Sequence, residues 1–290
     1  MKKQTLVRGN MDVVYITDEN YVMPTCVSVV SLYENVKDNL NVYILCHSIS
    51  ERSKRMLHKL KNPNHNLILI DVENGAFDEL SKKGDLKPGF HVSKSALFKF
   101  VLPEILENLH KVLYLDSDVA VCCDISELWD TKLDGYYVAA VERPFYDENE
   151  LELRGIRGGY FNSGVMLMNL SLMRKEHLSS VLIEYRGCGV NKLMDQDTFN
   201  YVMQGRFLKL SYKYNFGMRW YLEHKFNKVN SLLFNNEYDS ESDMFLGQSI
   251  VHFSSSCKPW KYYIPYFSEI FMKYYKISPY GNKTLEISQI

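Results

Sequence analysis

Two aspartates separated by one serine are the residues of this chain whose types and spacing most directly suggest chemistry. Asp116 and Asp118 follow a short apolar run within Lys111–Val121 (KVLYLDSDVAV). Such a run predicts a buried strand. Side chains two apart in extended backbone point the same way, so the two carboxylates face one point and Ser117 faces away. Two converging carboxylates repel each other unless a cation lies between them, so the pattern predicts a divalent metal site; a solvated turn or a helix cap is the open alternative.

The elements before this pair must bring other polar groups to the same place. Apolar runs predict strands at Met11–Thr17, Asn41–Cys46 and Asn66–Asp71, with helical patterns between them. This alternation predicts a doubly wound α/β sheet. Ligands of such sheets lie beyond the carboxyl ends of the strands, where both Asp18 and Asp116 fall.

The remaining elements are predicted from periodicity, caps and breakers. Pro144–Gly159 is polar, acidic and contains three glycines, which predicts a mobile loop, either a lid over a site or a plain surface connection. The other predictions are a helix at Ser93–Leu102, a helix at Ile125–Trp129, strands at Tyr136–Val141 and Phe161–Asn169, a helix from Ser171 to about Tyr185, a helix opened by Asp195-Gln196-Asp197, a strand at Ser249–His252 and a helix at Pro265–Lys276.

Composition bounds the class of protein. The 290 residues are 46% hydrophobic, which is typical of a globular chain, and Lys+Arg 34 against Asp+Glu 35 gives a formal net charge of −1. This balance gives no reason to expect a nucleic acid partner. The N-terminus has no apolar run of the signal-peptide kind, and no stretch reaches the roughly 18 apolar residues of a membrane span. The six cysteines form no C-x-x-C pair, which favours a reduced, cytoplasmic protein; they are Cys26, Cys46, Cys122, Cys123, Cys188 and Cys257.

Six motifs in sequence resemble glycosyltransferase family 8, the retaining GT-A enzymes that include bacterial lipooligosaccharide galactosyltransferases and glycogenin. They are VVYITDENY, HVSKSALFKF, KVLYLDSDV, GYFNSGVMLMNL, MDQDTFN and IVHFSSSCKPW. The resemblance implies a GT-A, Rossmann-like nucleotide-diphospho-sugar transferase fold with a central mixed β-sheet flanked by helices. It places a glycosyltransferase domain at residues 11–257, followed by an aromatic and basic C-terminal helical extension at 258–290.

The resemblance also implies a metal site and a nucleotide site. Asp116 and Asp118 match the family's metal-binding pair, and His252 matches its third protein ligand. An imidazole beside two carboxylates favours Mn²⁺, with Mg²⁺ as the alternative. Asp18 matches the carboxylate that reads uracil, although a turn or helix cap also fits it, and Tyr21 matches the ring that stacks on the base. Thr17, Asn20 and Ser117 complete the donor-binding residues at these two strand ends.

Further donor-binding residues are implied for the sugar and the diphosphate. Asn162 lies in the motif that contacts the donor sugar, Asp195 matches the reader of sugar hydroxyls, and Gln196 matches the residue beneath the anomeric carbon; the last two are the catalytic candidates. Lys258 matches the lysine that binds the leaving diphosphate. Two positions depart from the family pattern, because Lys99 stands where arginine is usual and Ser255 where glycine is usual.

The implied reaction is transfer of glucose or galactose from a UDP-sugar to a hydroxyl of a saccharide, lipid-linked or protein-linked glycan, with retention at the anomeric carbon. A front-side attack suits these residues better than double displacement through Gln196, because an amide is a poor nucleophile. Three alternatives stay open: a haloacid-dehalogenase-like phosphatase using Asp116 and Asp118, a glycogenin-like self-glucosylating primer, and a non-enzymatic sugar-nucleotide binding module.

The C-terminal helix gives one expectation about location. Its lysines alternate with aromatic residues, and such a helix can lie on a membrane surface, which suits a lipid-linked acceptor. A helix that packs its aromatic side chains onto the domain is the alternative. The expected location is cytoplasmic, with peripheral contact at the inner face of the membrane if the helix is exposed.

Overall fold

The computed structural model describes residues 10–72, 94–187 and 194–289. In this part of the chain the strands are β1 (Met11–Thr17), β2 (Leu40–Cys46), β3 (Asn66–Asp71), β4 (Val112–Leu115), β5 (Val119–Val121), β6 (Val138–Glu142), β7 (Phe161–Met168), β8 (Phe207–Lys209), β9 (Phe216–Gly217), β10 (Ile250–His252), β11 (Tyr262–Tyr263) and β12 (Ser288–Gln289). The helices are α1 (Val22–Asn35), α2 (Glu51–His58), α3 (Leu102–Ile105), α4 (Ser126–Trp129), α5 (Glu148–Leu153), α6 (Leu170–Lys175), α7 (Leu178–Gly187), α8 (Met194–Val202), α9 (Met218–Phe234), α10 (Glu241–Leu246) and α11 (Phe267–Tyr275).

Seven of the strands form one mixed sheet in the order β3-β2-β1-β4-β7-β6-β8. The first four strands in this order are parallel, and β7 is antiparallel to both of its neighbours. The carboxyl ends of β1 and β4 therefore lie side by side. The predicted α/β class with a central mixed sheet is confirmed.

The central strands of the sheet are buried on both faces, as their apolar sequences require. In β1, Val13 and Tyr15 pack into one apolar cluster, whereas Val14 and Ile16 pack into another on the opposite face. This alternation is the period of two of extended backbone. Because both faces are covered, polar groups that follow the strands meet at the edges of the sheet.

A second sheet, in the order β5-β10-β9, brings distant parts of the chain beside the aspartate pair. β5 begins one residue after Asp118, and its Val119 lies opposite His252 in the antiparallel pair with β10. The backbone N–H of Phe253 donates to the carbonyl oxygen of Asp118, at 2.9 Å. The late strand that the sequence predicts is thus held against the residues that follow β4.

Three local predictions need correction. Pro144–Gly159 is not a plain loop: it contains α5, whose N-terminus is capped by Asp147, and its Leu151 and Ile156 pack with Tyr160 in a small apolar cluster. Asn169, not Ser171, caps the next helix, which ends at Lys175 because His177 takes a positive φ of 51° before α7 begins.

The residues around Lys99 form a different kind of helix from the one predicted. The segment Lys94–Val101 is a 3₁₀ helix, and α3 follows with Pro103 in its first turn, where a missing N–H costs little. Ser93, where the predicted helix starts, lies outside the described residues, as does Cys188. The other five cysteines are free thiols.

The C-terminal helix α11 packs its aromatic face inward. Phe267, Phe271, Tyr274 and Tyr275 are buried in an apolar cluster with Phe216 of β9. The aromatic side chains of this helix are therefore part of the protein core. Among the described residues, no helix combines the length and apolar character that crossing a bilayer requires.

Candidate metal and donor-sugar site

Asp116, Asp118 and His252 converge at the carboxyl edge of the main sheet. One ligand atom from each lies within 4.8 Å of the others. The Nε2 atom of His252 is 3.4 Å from Oδ1 of Asp118 and 3.8 Å from Oδ2 of Asp116. Two carboxylates and an imidazole suit Mn²⁺, so this donor set fits the implied ion. The sequence prediction that both carboxylates face one point agrees with this geometry.

Two lysines lie against the aspartate pair from opposite sides. The Nζ atom of Lys99 is 3.0 Å from Oδ1 of Asp116, and that of Lys258 is 2.6 Å from Oδ2 of Asp118. Lys99 is only 4% exposed, so its ammonium group is a buried cation and does not lie on the solvent-exposed surface of its helix. Burial opposes the charge on Lys99, but the carboxylates of Asp116 and Asp195 outweigh burial and raise its pKa.

The carboxylate of Asp118 is held in its ionised form. Burial alone raises the pKa of this group, but the ammonium of Lys258 outweighs burial and lowers the pKa well below its ordinary value. Lys258 also donates to the carbonyl oxygen of Phe253, at 2.8 Å. Asp118 is therefore a charged carboxylate whose compensating cation already lies beside it.

Lys99 joins the aspartate pair to the helix that carries the catalytic candidates. Its Nζ atom donates to Oδ2 of Asp195, at 2.7 Å, and the Ser163 hydroxyl donates to the same oxygen, at 2.9 Å. Asp195 and Gln196 lie in the first turn of α8, as predicted. The next residue, Asp197, accepts from the Tyr160 hydroxyl, at 2.5 Å, and pairs with Arg154 of the segment that follows α5. These contacts fix α8 against the sheet edge.

Asn162 and Gln196 contact each other directly. The Nδ2 group of Asn162 donates to Oε1 of Gln196, at 2.9 Å, and the backbone N–H of Ser163 approaches the same oxygen at 3.4 Å. The amide oxygen of Gln196 therefore already faces two donors. The structure brings both predicted sugar-contacting residues to the same edge as the aspartates.

The residues after β1 form the next part of this edge. Oδ1 of Asp18 accepts from the backbone N–H of Asn20, at 3.0 Å, so Asp18 makes the turn contact that the sequence also allowed. Tyr21 is half-buried, and its ring meets the Trp260 ring edge-on, with 6.3 Å between ring centres. Burial raises the pKa of the Tyr21 hydroxyl, which keeps it neutral.

Two predicted donor-binding hydroxyls, those of Thr17 and Ser117, are buried and share a hydrogen-bond partner. The Thr25 hydroxyl is 2.9 Å from that of Thr17 and 2.8 Å from that of Ser117. The Ser117 hydroxyl also donates to the carbonyl oxygen of Ile16, at 2.9 Å. Ser117 thus faces away from the carboxylates, as the alternation predicts, and these two side chains are placed to join the ends of β1 and β4.

Ser255 lies in the turn between β10 and Lys258. Its hydroxyl accepts from the backbone N–H of Cys257, at 3.2 Å, and its own N–H donates to the carbonyl oxygen of Phe253. The departure from glycine is therefore accommodated by a side-chain hydrogen bond within the turn.

Three residues of the site were missed by sequence reasoning. Tyr114 donates to Oδ1 of Asp116, at 2.5 Å; burial and the neighbouring carboxylate raise its pKa well above the ordinary value. Oδ1 of Asn215 lies 2.9 Å from Nδ1 of His252. A Cβ on Gly164 would lie 2.3 Å from Cε1 of His252 and 2.8 Å from Oδ2 of Asp116. Only Tyr114 carried a local signal, since it precedes Asp116 by two residues and so shares its face.

Comparison with known proteins places this site in a family. The chain is 27% identical to General stress protein A of Bacillus subtilis over 95% of this chain and 97% of that protein. It is 28% identical to a lipopolysaccharide 1,2-glucosyltransferase of Escherichia coli over 92% of this chain and 77% of that protein.

A solved structure confirms the fold. The galactosyltransferase LgtC, in complex with donor and acceptor sugar analogues, superposes with a TM-score of 0.76 at 24% identity, over 95% of this chain and 98% of that chain. The predicted GT-A, Rossmann-like architecture is therefore confirmed. The family model for glycosyl transferase family 8 matches residues 12–263, a range that includes the aspartate pair and His252, so the chain belongs to glycosyl transferase family 8.

Proposed function

We propose that this glycosyltransferase transfers glucose or galactose from a UDP-sugar to a glycan hydroxyl, with retention at the anomeric carbon and with a divalent metal, Mn²⁺ in preference to Mg²⁺. One observation carries the proposal. Lys99 bridges Asp116 of the proposed metal-ligand residues and Asp195 of α8, which supports one connected site for the diphosphate and the sugar.

The charges of the site support a divalent cation. The carboxylates of Asp116, Asp118 and Asp195 face the ammonium groups of Lys99 and Lys258, which leaves an excess of one negative charge. A sugar-nucleotide diphosphate adds further negative charge. Its binding beside these carboxylates is unfavourable unless a cation lies between them.

A metal bound by Asp116, Asp118 and His252 would act as a Lewis acid on the diphosphate oxygens. Lys258 would supply a second positive charge at the same place, because its Nζ atom donates to Asp118, one of the three proposed metal ligands. Lys258, together with a metal held by these three residues, would stabilise the negative charge that develops on the departing nucleoside diphosphate. Lys258 is the residue we assign to that leaving group.

The residues near the sugar support front-side attack. Asp195, held by Lys99 and Ser163, would accept hydrogen bonds from sugar hydroxyls. The Gln196 oxygen is oriented by Asn162 and the backbone of Ser163, so it is placed to support a positively charged anomeric centre but is a poor nucleophile. In our proposal the departing phosphate takes the proton of the acceptor hydroxyl.

The nucleoside is assigned to the end of β1. Asp18 and Asn20 form the turn there, and Tyr21 supplies a ring that is braced by Trp260. A carboxylate beside an aromatic face suits uracil, whose N–H donates and whose ring stacks. Ser255 in the turn before Lys258 would contact the diphosphate through its hydroxyl, which accepts from the backbone N–H of Cys257 and has its own proton to donate.

The proposed donor sugar is glucose or galactose, which differ in the orientation of one hydroxyl. One relative, from Escherichia coli, is named a lipopolysaccharide 1,2-glucosyltransferase, and this name supports a saccharide or lipid-linked acceptor for the present chain. We also propose that the protein is cytoplasmic and contacts the inner face of the membrane peripherally. Sedimentation with liposomes tests it, and a truncation is unsuitable as a control because α11 is part of the core.

The test is a screen of UDP-sugars for hydrolysis and transfer by the full chain, with Mn²⁺, with Mg²⁺ and with a chelator. We expect one UDP-hexose to be consumed only with metal, and Asp118→Asn to lower turnover by about a thousandfold. The exposed Asp134 provides the control, since Asp134→Asn should leave turnover unchanged.

Each alternative gives a distinct outcome of this screen. Unchanged activity of Asp118→Asn or of the chelated enzyme would overturn the metal assignment. Phosphate release from simple phosphomonoesters without UDP-sugar turnover would favour a phosphatase, and a hexose mass gain on the protein itself would identify a self-glucosylating primer. Binding of UDP-sugar without turnover would indicate a binding module.

A further inference from the structure

A single buried amide lies between the metal-ligand cluster and the sugar-contacting residues. We propose that Asn215 is a positioning residue that fixes His252 in the tautomer with the proton on Nδ1, and that it couples this ligand to Asn162. The proposal rests on the proposed function in that it takes His252 as a metal ligand and Asn162 as a donor-sugar contact. Its geometric part, the tautomer, concerns the protein alone.

The chain places Asn215 beside His252 through backbone pairing. Asn215 follows the 3₁₀ helix Tyr212–Tyr214 and directly precedes β9. β9 is parallel to β10, with Gly217 opposite His252. The side chain of Asn215 is fully buried, so every hydrogen bond it lacks would cost the full desolvation of a polar group. Its amide is held by two neighbours, His252 and Asn162.

The backbone N–H of Gly164 fixes the orientation of these side-chain amides, because a backbone N–H can only donate a hydrogen bond. The backbone N–H of Gly164 is 3.0 Å from Oδ1 of Asn162, so the nearer atom of Asn162 must be the oxygen. That oxygen is also 2.8 Å from Nδ2 of Asn215, which identifies the NH₂ group of Asn215. The oxygen of Asn215 therefore faces His252.

The tautomer of His252 is the consequence. An amide oxygen accepts a hydrogen bond, so Nδ1 of His252, 2.9 Å away, must carry the proton. The lone pair of the neutral ring is then on Nε2, the atom that faces Oδ1 of Asp118 at 3.4 Å. A metal-binding imidazole is held by the hydrogen bond of its other nitrogen in this way.

The opposite end of the same chain of amides reaches the sugar residues. Asn162 accepts from Asn215 and donates to Oε1 of Gln196. If the Asn215 amide were rotated, its NH₂ group would face the protonated Nδ1 of His252 and its oxygen would face the Asn162 oxygen. Both hydrogen bonds would then be lost. Asn215 thus supports the metal ligand and the sugar-contacting amide simultaneously, although it belongs to neither group.

Three variants separate these contacts. Asn215→Ala removes both hydrogen bonds. Asn215→Asp keeps an acceptor for Nδ1 of His252 but loses the donor to Asn162. Asn230→Ala is the matched control, because Asn230 is a buried amide with two hydrogen bonds, both to the backbone of Tyr238 in a separate part of the fold.

The first measurement uses metal-free protein with ¹⁵N-labelled histidine at about pH 8.5, where an ordinary histidine is neutral. Long-range ¹H–¹⁵N correlation spectra report the tautomer, and His252→Gln identifies the signal. We expect His252 to be Nδ1-protonated in the wild type, in Asn215→Asp and in Asn230→Ala. Asn215→Ala should give a mixture of tautomers or the Nε2-protonated form.

The second measurement is Mn²⁺ binding, followed by the electron paramagnetic resonance signal of the free ion. Asn215→Ala should weaken binding about 10- to 100-fold, whereas Asn215→Asp should lose less than about tenfold. Asn215→Asp should instead raise KM for the donor, because Asn162 loses its partner. Asn230→Ala should change neither constant, even if it lowers the melting temperature.

The outcomes distinguish this proposal from the proposed function. An Nε2-protonated His252 in the wild type, or an unchanged tautomer and unchanged Mn²⁺ affinity in Asn215→Ala, would overturn the role of Asn215. If the wild type binds no Mn²⁺, the metal assignment fails, and the metal-free spectra still decide whether Asn215 fixes the tautomer.

Discussion

The strands of the seven-stranded sheet end at two opposite edges, one at the carboxyl end of β4 and one at the start of β6. Both edges carry charged groups, but these groups differ in how deeply they are buried. At the carboxyl edge of β4, Lys99 is buried between Asp116 and Asp195, with its side chain 5% exposed. At the other edge, beside the start of β6, Arg206 forms a two-pronged ion pair with Glu176 and covers the Tyr137 ring. The side chains of that pair are about one-third exposed.

The difference in burial separates function from stability. An exposed ion pair gains little, because water and salt screen it. A buried charge is costly to create, and replacing a buried ion cluster with apolar side chains is often neutral or stabilising. In the proposed function, the cluster around Lys99 is explained by the anionic, metal-binding ligand it would hold, whereas the Arg206 pair needs no ligand to explain it.

The largest test of this contrast is Lys99→Met in metal-free protein. Loss of the ammonium leaves the partly buried carboxylates of Asp116 and Asp195 without the cation they share, so the free energy of unfolding should fall by about 3 kcal/mol. Urea denaturation at neutral pH measures this. Mn²⁺ should restore part of the loss, since a cation that binds only the native state stabilises it.

Lys99→Arg is the matched control, because it keeps the charge at the position where the family usually has arginine. It should retain most of the stability that Lys99→Met loses. If Lys99→Met is as stable as the wild type, the two edges do not differ in the way their burial indicates.

A smaller effect is expected from Gly164→Ala, which tests how closely the carboxyl edge is packed. The added Cβ would overlap the His252 ring and approach Oδ2 of Asp116, so one of these ligands must move. We expect a loss of about 1–3 kcal/mol in the free energy of unfolding, together with weaker Mn²⁺ binding. Gly135→Ala is the control: Gly135 has a φ of +80° and open space around it, so stability should fall without a change in Mn²⁺ binding.

Short-range patterns in the sequence were sufficient for the sheet and for one half of the site. The alternation of β1 and the run before Asp116 predicted buried strands, and a separation of two residues predicted that Asp116 and Asp118 share a face. The cap at Asp147, followed by Glu150, was also readable from the sequence as a helix start, but glycines and acidic residues pointed to a loop.

Long-range contacts account for what was missed. Lys99 and Asp195 are 96 positions apart, and Asn215 and His252 are 37 apart, so neither pair leaves a local pattern. Asn215 lies in none of the six motifs. The need for glycine at position 164 arises only when the His252 ring packs over that backbone, which depends on the pairing of β10 with β5.

The smallest effect is expected at the other edge, from Glu176→Gln. Hydrogen bonds from Arg206 and Tyr137 lower the pKa of Glu176 to about 2. A carboxyl group whose pKa is lower in the folded than in the unfolded protein stabilises the folded state at pH values above its unfolded pKa of about 4.3. This contribution is lost as the pH falls toward the folded pKa of about 2. Glu176→Gln should therefore lower the melting temperature by only about 2 °C at pH 7, less in 1 M salt, and by a shrinking amount below about pH 4. Thermal scans across pH, with the exposed Glu107→Gln as control, measure this. A loss as large as that of Lys99→Met would show that the exposed pair, and not burial, governs how charges on this sheet contribute to stability.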